Sequence, residues 1–233
     1  MTVHFIKEVA SLKEMILHLS GEVEKQLELA VSAIMNRDAG MASAVLNQDR
    51  DIDLAEVEVE EECLKILALH QPVALDLRFI VAVLKINNDL ERIGDLAVNI
   101  AERAIFLAES TDTDELFDFP TMAEKAGTMV RESLDAMLKR DMQLAVHVRE
   151  SDNVVDDLNR EMYEQIKKRI QEHPDRVEIY IHQLSVSRHL ERVADHATNI
   201  AEDVIYMLKG EVVRHRFETY YVADHKAEDE QQP

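Results

Sequence analysis

The sequence predicts an all-α fold of two tandem three-helix bundles, built from long antiparallel helices and related by internal duplication. Five Gly and four Pro among 233 residues are too few for the turns of a β protein. Apolar residues recur at spacings of three and four over long stretches, as they do along amphipathic helices. The segment from Leu90 to Glu102 returns 100 residues later as Leu190 to Glu202, which indicates one supersecondary unit used twice.

Three helices are predicted in the first bundle, residues 1–110. The first has an apolar face over residues 5–34 and ends near Asn36. The second covers about residues 41–70, and Pro72, which a first helical turn tolerates, opens the third. The apolar seam of the third helix alternates between steps of three and four through Val83, Ile86, Leu90, Ile93, Ala97, Ile100, Ala104 and Leu107.

Residues 111–120 interrupt this pattern and are predicted to be a linker to a second bundle at residues 121–216. Its three helices are expected at about residues 121–140, 142–172 and 174–209. Gly210 is the expected C-cap of the last helix. Residues 217–233 are polar and acidic, which is typical of a mobile tail.

The formal charge of −21 excludes the function classes that need a basic surface. Nucleic acid and anionic membranes would be repelled, whereas cations or a basic patch on another protein would be attracted. Cys63 is the single cysteine, so no intrachain disulfide can form. No apolar run approaches the roughly 20 residues that span a bilayer, and the N-terminus does not resemble a signal peptide. We therefore expect a cytoplasmic protein.

The duplicated segment repeats its acidic positions as well as its apolar ones. Glu91 and Asp95 return as Glu191 and Asp195. Residues four apart on a helix project the same way, so each pair brings together like charges that destabilise the helix. These acids lie off the apolar seam, and packing therefore does not explain their recurrence.

A similar acidic pair occurs on the preceding helix of each half. If the antiparallel helices bring the pairs together, each half gathers four carboxylates, which suit Mg²⁺, Mn²⁺, Fe or Zn²⁺. The candidate metal ligands are Asp49, Asp53, Glu91 and Asp95 in the first half, and Asp152, Asp156, Glu191 and Asp195 in the second. Asn99, Asn199 and His196 are candidate secondary ligands. Arg92 and Arg192 either pair with a neighbouring helix or form ordinary surface ion pairs.

Catalytic motifs are missing from the sequence. Ferritin-like di-iron enzymes need Glu-x-x-His on two helices, and no Glu in this chain has His three residues later. There is neither a glycine-rich phosphate loop nor a Gly-x-Ser-x-Gly turn. We therefore expect no enzyme activity and assign no catalytic residue.

Three segments resemble the PhoU family of bacterial phosphate-uptake and phosphate-regulon regulators. They are residues 71–78 (Gln-Pro-Val-Ala-Leu-Asp-Leu-Arg), Leu90 to Asp95, and Leu190 to Tyr206. The resemblance covers roughly residues 5–216 and implies a homodimer with multinuclear metal clusters at the eight carboxylates. The second half departs from the first, because His173-Pro174-Asp175-Arg176 stands where the Pro-Val-Ala-x-Asp-Leu-Arg start would lie. The two sites therefore need not bind alike.

The resemblance also implies a function. Proteins of this family restrain phosphate uptake and the phosphate-starvation response, through the ATPase subunit of the phosphate ABC transporter and a membrane sensor histidine kinase. Two alternatives stay open from the residues alone. One is a metal-independent acidic helical scaffold, and the other is a metal-dependent phosphatase or oxidase.

Overall fold

A computed structural model describes residues 3–110 and 117–210 of the chain, and these residues form six long α-helices and one short 3-10 turn. The helices are α1 (Val3–Asn36), α2 (Ala39–His70), α3 (Ala74–Glu109), α4 (Phe119–Lys139), α5 (Met142–Glu172) and α6 (Val177–Lys209). The predicted all-α fold with two sets of three helices is confirmed. Gly210 ends α6 in the left-handed conformation, with φ +78°, as predicted.

Helix starts differ from the predicted positions by two or three residues. The third helix begins at Ala74 rather than Pro72, because Gln71 is left-handed and Val73 is extended as the chain reverses after α2. The fourth begins at Phe119, inside the predicted linker, because the Asp118 side chain caps it by accepting a hydrogen bond from Thr121 N at 3.1 Å. Pro174–Arg176 forms the 3-10 turn, and α6 follows it. Residues 111–116 of the linker and the whole predicted tail lie outside the described residues.

The duplication is visible in two hairpins of the same construction. Arg37 and Arg140 are both left-handed, with φ 50° and 55°, and each precedes an Asp that caps the next helix. Asp38 Oδ1 accepts hydrogen bonds from Gly40 N at 2.8 Å and Met41 N at 3.0 Å. Asp141 Oδ1 accepts one from Leu144 N at 3.1 Å. Each cap satisfies amide groups that a helix start leaves without an intrahelical partner.

The two halves share one apolar core. The helices α1, α2 and α3 pack on each other, as do α4, α5 and α6, while α3 against α6 and α1 against α4 join the halves. Buried apolar side chains of all six helices belong to a single cluster. None of the described helices combines the length and the apolar character that a membrane crossing requires.

Polar contacts join α3 to α6 across the interface between the two halves. Lys85 Nζ lies 2.9 Å from Asp203 Oδ1, and the Asp203 side chain is almost fully buried. His196 Nδ1 lies 2.8 Å from Asp89 Oδ1. Arg78 Nε donates to the carbonyl oxygen of Met207 at 3.0 Å, near the negative end of the α6 dipole. These contacts fix how the two repeats face each other.

Candidate metal centres

The first predicted cluster lies where α2 and α3 pack side by side. Burial raises the pKa of Asp49, and the nearby charges of Asp53 and Asp95 raise it further. Burial likewise raises the pKa of Glu91, with Asp95 and Asp53 adding to the effect. The acidic pair on α2 and the acidic pair on α3 are therefore close enough for the charges of one pair to raise the pKa values of the other.

Gln26 of α1 is hydrogen-bonded to this cluster, and the sequence analysis did not identify it. Its side chain is fully buried, and Nε2 donates to Val45 O at 3.3 Å and to Asp49 Oδ1 at 3.4 Å. Gly94 of α3 lies against the same side chain, since a Cβ built there would be 3.3 Å from Gln26 Oε1. The close approach of three helices thus orients Asp49.

Glu56 is a fifth carboxylate at the first cluster. Its charge helps to raise the pKa of Glu91, and burial, followed by Glu60 and Asp53, raises the pKa of Glu56 itself. Asn87 Nδ2 holds it by donating to Glu56 O and Oε1, both at 2.9 Å. Glu56 follows Asp53 by three residues, so continuing the acidic spacing by one turn would have identified it.

The second predicted cluster forms between α5 and α6. Burial raises the pKa of Asp152 to about 6, with the charges of Asp195 and Asp156 adding to the rise and the Thr198 hydroxyl opposing it. The pKa of Glu191 is also raised, by burial first and then by Asp195, Asp156 and Asp152. All four carboxylates predicted for the second half therefore act on one another.

The two clusters differ in the residues that adjoin them. Asn159 and Ser187 occupy the repeat positions of Glu56 and Asn87, and Ser187 Oγ donates to Asn159 Oδ1 at 2.6 Å. The first cluster therefore has five acids where the second has four. A cation would meet more negative charge in the first half, which is a reason for the two sites to bind differently.

The donor set suits a hard cation. Carboxylate oxygens are the ligands that Mg²⁺, Mn²⁺ and iron prefer. Burial first and mutual repulsion second raise the pKa values of these acids, and a bound cation would stabilise their ionised forms. Within the described ranges 3–110 and 117–210, no three His, Cys, Asp or Glu side chains converge closely enough to hold one ion. The helices bring the acids to the same surface, but the side chains do not form a closed cage.

The arginine of the first motif lies among the predicted ligands. Arg92 is half-exposed, and its Nη1 lies 3.0 Å from Asp95 Oδ2 while its Nε lies 3.5 Å from Glu91 Oε2. Of the two interpretations left open by the sequence, the structure thus favours an ordinary surface ion pair within α3.

Two of the three candidate secondary ligands, Asn99 and His196, form hydrogen bonds with other residues of the protein. Asn99 Nδ2 donates to the Asp95 carbonyl oxygen at 2.7 Å, one turn back in the same helix. His196 Nδ1 faces Asp89 across the interface between the halves. Burial, followed by Asp156, raises the pKa of Asp195, and the nearby His196 ring opposes this rise. Asn199 is half-buried at the equivalent repeat position of Asn99. Their role as ligands stays a prediction.

Comparison with known proteins decides the family. The PhoU domain model matches residues 16–104 and again 119–204, one match in each half. The chain is 38% identical over 210 residues to the phosphate-specific transport system accessory protein PhoU homolog of Aquifex aeolicus, covering 90% of this chain and 95% of that one. The chain belongs to the PhoU family. The Pseudomonas putida PhoU homolog is 37% identical over 212 residues, 91% of this chain and 83% of its own.

Solved PhoU structures have the same fold. The crystal structure of PhoU from Pseudomonas aeruginosa superposes with a TM-score of 0.85 at 36% identity, covering 89% of this chain and 100% of that chain. The phosphate transport system regulatory protein PhoU from Streptococcus pneumoniae gives a TM-score of 0.80 at 28% identity, covering 90% and 99%. The PhoU match therefore extends to both repeats and to their arrangement.

Proposed function

We propose that this PhoU protein is a metal-binding cytoplasmic regulator of phosphate homeostasis. It restrains phosphate uptake and the phosphate-starvation response while phosphate is plentiful. It does so without catalysis, as a homodimeric adaptor between the ATPase subunit of the phosphate ABC transporter and a sensor histidine kinase. The observation that carries the proposal is the PhoU match in both halves, together with relatives named as accessory proteins of phosphate-specific transport.

The carboxylate clusters supply the metal part of the proposal. Asp49, Asp53, Glu91 and Asp95 would hold one centre, and Asp152, Asp156, Glu191 and Asp195 the other. Bound Fe, Mn, Zn or Mg would neutralise acids whose pKa values are raised by burial and, after it, by one another's charges. These side chains are partly exposed, so they can change rotamer to converge on an ion at small cost.

One pull-down tests the adaptor role and its dependence on metal. The tagged full chain is isolated from phosphate-replete cells with and without a chelator. We expect the transporter ATPase and the sensor kinase to be recovered without chelator and lost with it. Absence of both partners in both conditions would contradict the adaptor role, and their retention in chelator would contradict the metal part alone.

A deletion strain tests the direction of regulation. We expect phosphate-starvation genes to be expressed in phosphate-rich medium when this gene is removed, and the intact gene to restore repression. Normal repression in the deletion strain would contradict negative regulation.

A metal-independent scaffold is the second candidate. It is favoured by Arg92, which already supplies a cation to Glu91 and Asp95. In that case Arg92→Gln alone would weaken partner recovery, and the chelator would change nothing.

A further inference from the structure

The outer face of α2 has an apolar stripe that no described residue covers. Leu54, Val57 and Leu64 are 54%, 47% and 52% exposed. Their spacings of three and seven place them on one side of the helix, opposite the buried Ile52, Val59 and Cys63. Glu61 lies in the same row, between Val57 and Leu64. Three half-exposed aliphatic side chains on one side of a helix still differ from the scattered apolar residues of an ordinary surface.

The internal repeat shows that this stripe is not required by the fold. The corresponding positions of α5 are Asp157, Arg160 and Lys167. There Arg160 Nη1 lies 2.9 Å from Asp157 Oδ1, and Lys167 Nζ lies 3.3 Å from Glu164 Oε2. The same helix position in the same bundle is therefore a solvated, ion-paired face in one half and an apolar stripe in the other.

Acidic residues border the stripe on both sides. Residues 51–62 contain seven Asp and Glu and no Lys or Arg. Glu60 lies along one edge, and Asp51, Glu58 and Glu62 lie along the other. Two basic residues flank this window. Arg50 lies one turn before Leu54, and Lys65 is paired with Glu62 at 2.9 Å and Glu8 at 3.4 Å.

An open groove of about 440 Å³ adjoins the acidic edge between α1 and α2. Its lining residues are Met15, Glu58, Glu61, Glu62 and Lys65. Met15 is the one apolar residue of this lining, and three carboxylates surround it. This suits a long cationic side chain, whose methylene stem packs on Met15 while its charged end meets the acids.

We propose that the outer face of α2 is a docking surface for an amphipathic helix of a partner protein, one with an apolar stripe flanked by Lys or Arg. Charge selects this occupant. A second copy of the chain would bring two acidic borders face to face within a protein of net charge −21, whereas a basic helix is attracted to both edges. The partner helix would pack its apolar stripe on that of α2, and its Lys or Arg side chains would pair with the acids on either side. The stripe borders the first cluster, because Asp53 lies one turn before Val57 on α2, and binding is therefore tested without metal.

A binding titration with a synthetic helix tests this surface. The probe is a fluorescent peptide of about 18 residues with a Leu stripe flanked by Lys, and its control has Glu at every Lys position. Anisotropy is measured on the full chain in EDTA at about 0.15 M salt. Because metal is removed, failure of the proposed metal-dependent function cannot affect the result.

Two matched triple variants locate the binding. L54Q/V57Q/L64Q makes the stripe polar, and Gln is used because it is a good helix former. D157Q/R160Q/K167Q alters the equivalent three positions of α5. We expect the α2 variant to bind at least about tenfold more weakly, and the α5 variant to stay within about twofold of the unchanged protein. Equal affinities of the two variants, or stronger binding of the Glu peptide, would overturn the proposal.

Photo-crosslinking identifies the occupant without relying on the folding of a triple variant. A benzophenone side chain replaces Val57 in one protein and Arg160 in the other. We expect the Lys peptide to be captured at position 57 and not at position 160. Capture at position 57 of a second copy, or of residues 211–233 of the same chain, in the presence of the peptide would contradict the basic partner helix.

Discussion

Asp152 is a carboxyl whose ionisation the fold opposes. Burial raises its pKa to about 6, with Asp195 and Asp156 adding to the rise. A carboxyl with a raised folded-state pKa stabilises the fold while it is protonated. That stabilisation is complete below the unfolded-state pKa near 3.8 and is lost as the pH rises through about 6. At neutral pH the ionised Asp152 of the second cluster therefore lowers the free energy of unfolding of the metal-free protein.

We expect Asp152→Asn to stabilise the metal-free protein near pH 7 by about 1 kcal/mol, and to have little effect near pH 4. A shift of about two units corresponds to about 3 kcal/mol at most, and partial solvent exposure reduces it. Urea unfolding in EDTA across this pH range measures the difference. Asp157→Asn, on an exposed acid paired with Arg160, is the control. Equal stabilities of Asp152→Asn and the unchanged protein near pH 7 would contradict the proposed destabilisation.

His189 has the opposite dependence on pH. Burial, together with the charges of Arg103 and Arg192, lowers its pKa to about 4. Protonation therefore favours the unfolded chain, and this side chain costs stability as the pH falls from about 6.5 to about 4. On acidification from about pH 7 to about pH 5, we expect the free energy of unfolding to fall less in His189→Gln than in the unchanged protein. The difference between the two falls should be about 1 kcal/mol. Parallel pH profiles from urea unfolding would show that the histidine does not titrate as described.

At the residue scale, the sequence predicted the acids that repeat but not the groups that support them. Glu91 and Asp95 were found because their copies recur at the same spacing. Gln26 could not be found in this way, since it reaches Asp49 from a different helix 23 residues earlier. A sequence does not reveal the register between packed helices. Glu56 was within reach, because it continues the spacing of Asp49 and Asp53 on one helix.

At the scale of the helix, the caps determine where each element starts. Asp38 satisfies two amide groups at the start of α2. We expect Asp38→Ala to destabilise the protein by about 1 kcal/mol, and Asp38→Asn, which can still accept a hydrogen bond, to cost much less. Thermal unfolding of the three proteins compares them. An alanine variant as stable as the unchanged protein would mean that the cap does not contribute.

Helix existence was easier to predict than helix ends. The three-and-four spacing of apolar residues extends over many turns and identifies each helix. The start of α4 instead depends on one side chain, Asp118, and the start of α3 depends on how Gln71 and Val73 reverse the chain. Both are local conformations that a repeating apolar pattern does not contain.

At the scale of the whole molecule, the shared core predicts that the halves unfold together. The aromatic ring of Phe106 on α3 stacks on His182 of α6, with centroids 3.7 Å apart. We expect one calorimetric transition for the full chain, and Phe106→Ala to lower its midpoint without dividing it. Hydrogen exchange should show both halves losing protection together. Two separate transitions would contradict a single cooperative unit.

The sequence predicted two repeats but not how they meet. Lys85 pairs with Asp203, and Asp89 pairs with His196, although none of these four residues is the same at its equivalent repeat position. The duplication is therefore exact enough to fix the fold of each half, while the contacts between halves use residues in which the copies have diverged.

Metal content after equilibrium dialysis tests the central claim most directly. The chelated full chain is dialysed against Mn²⁺, Fe²⁺, Zn²⁺ or Mg²⁺ and its bound metal is measured by elemental analysis. We expect the unchanged protein to retain metal, and Glu91→Ala with Asp95→Ala, or Glu191→Ala with Asp195→Ala, each to lose about half of it. Glu161→Ala with Glu164→Ala, on the outer face of α5, should lose none. An unchanged protein that retains no metal, or cluster variants that retain all of it, would contradict the account.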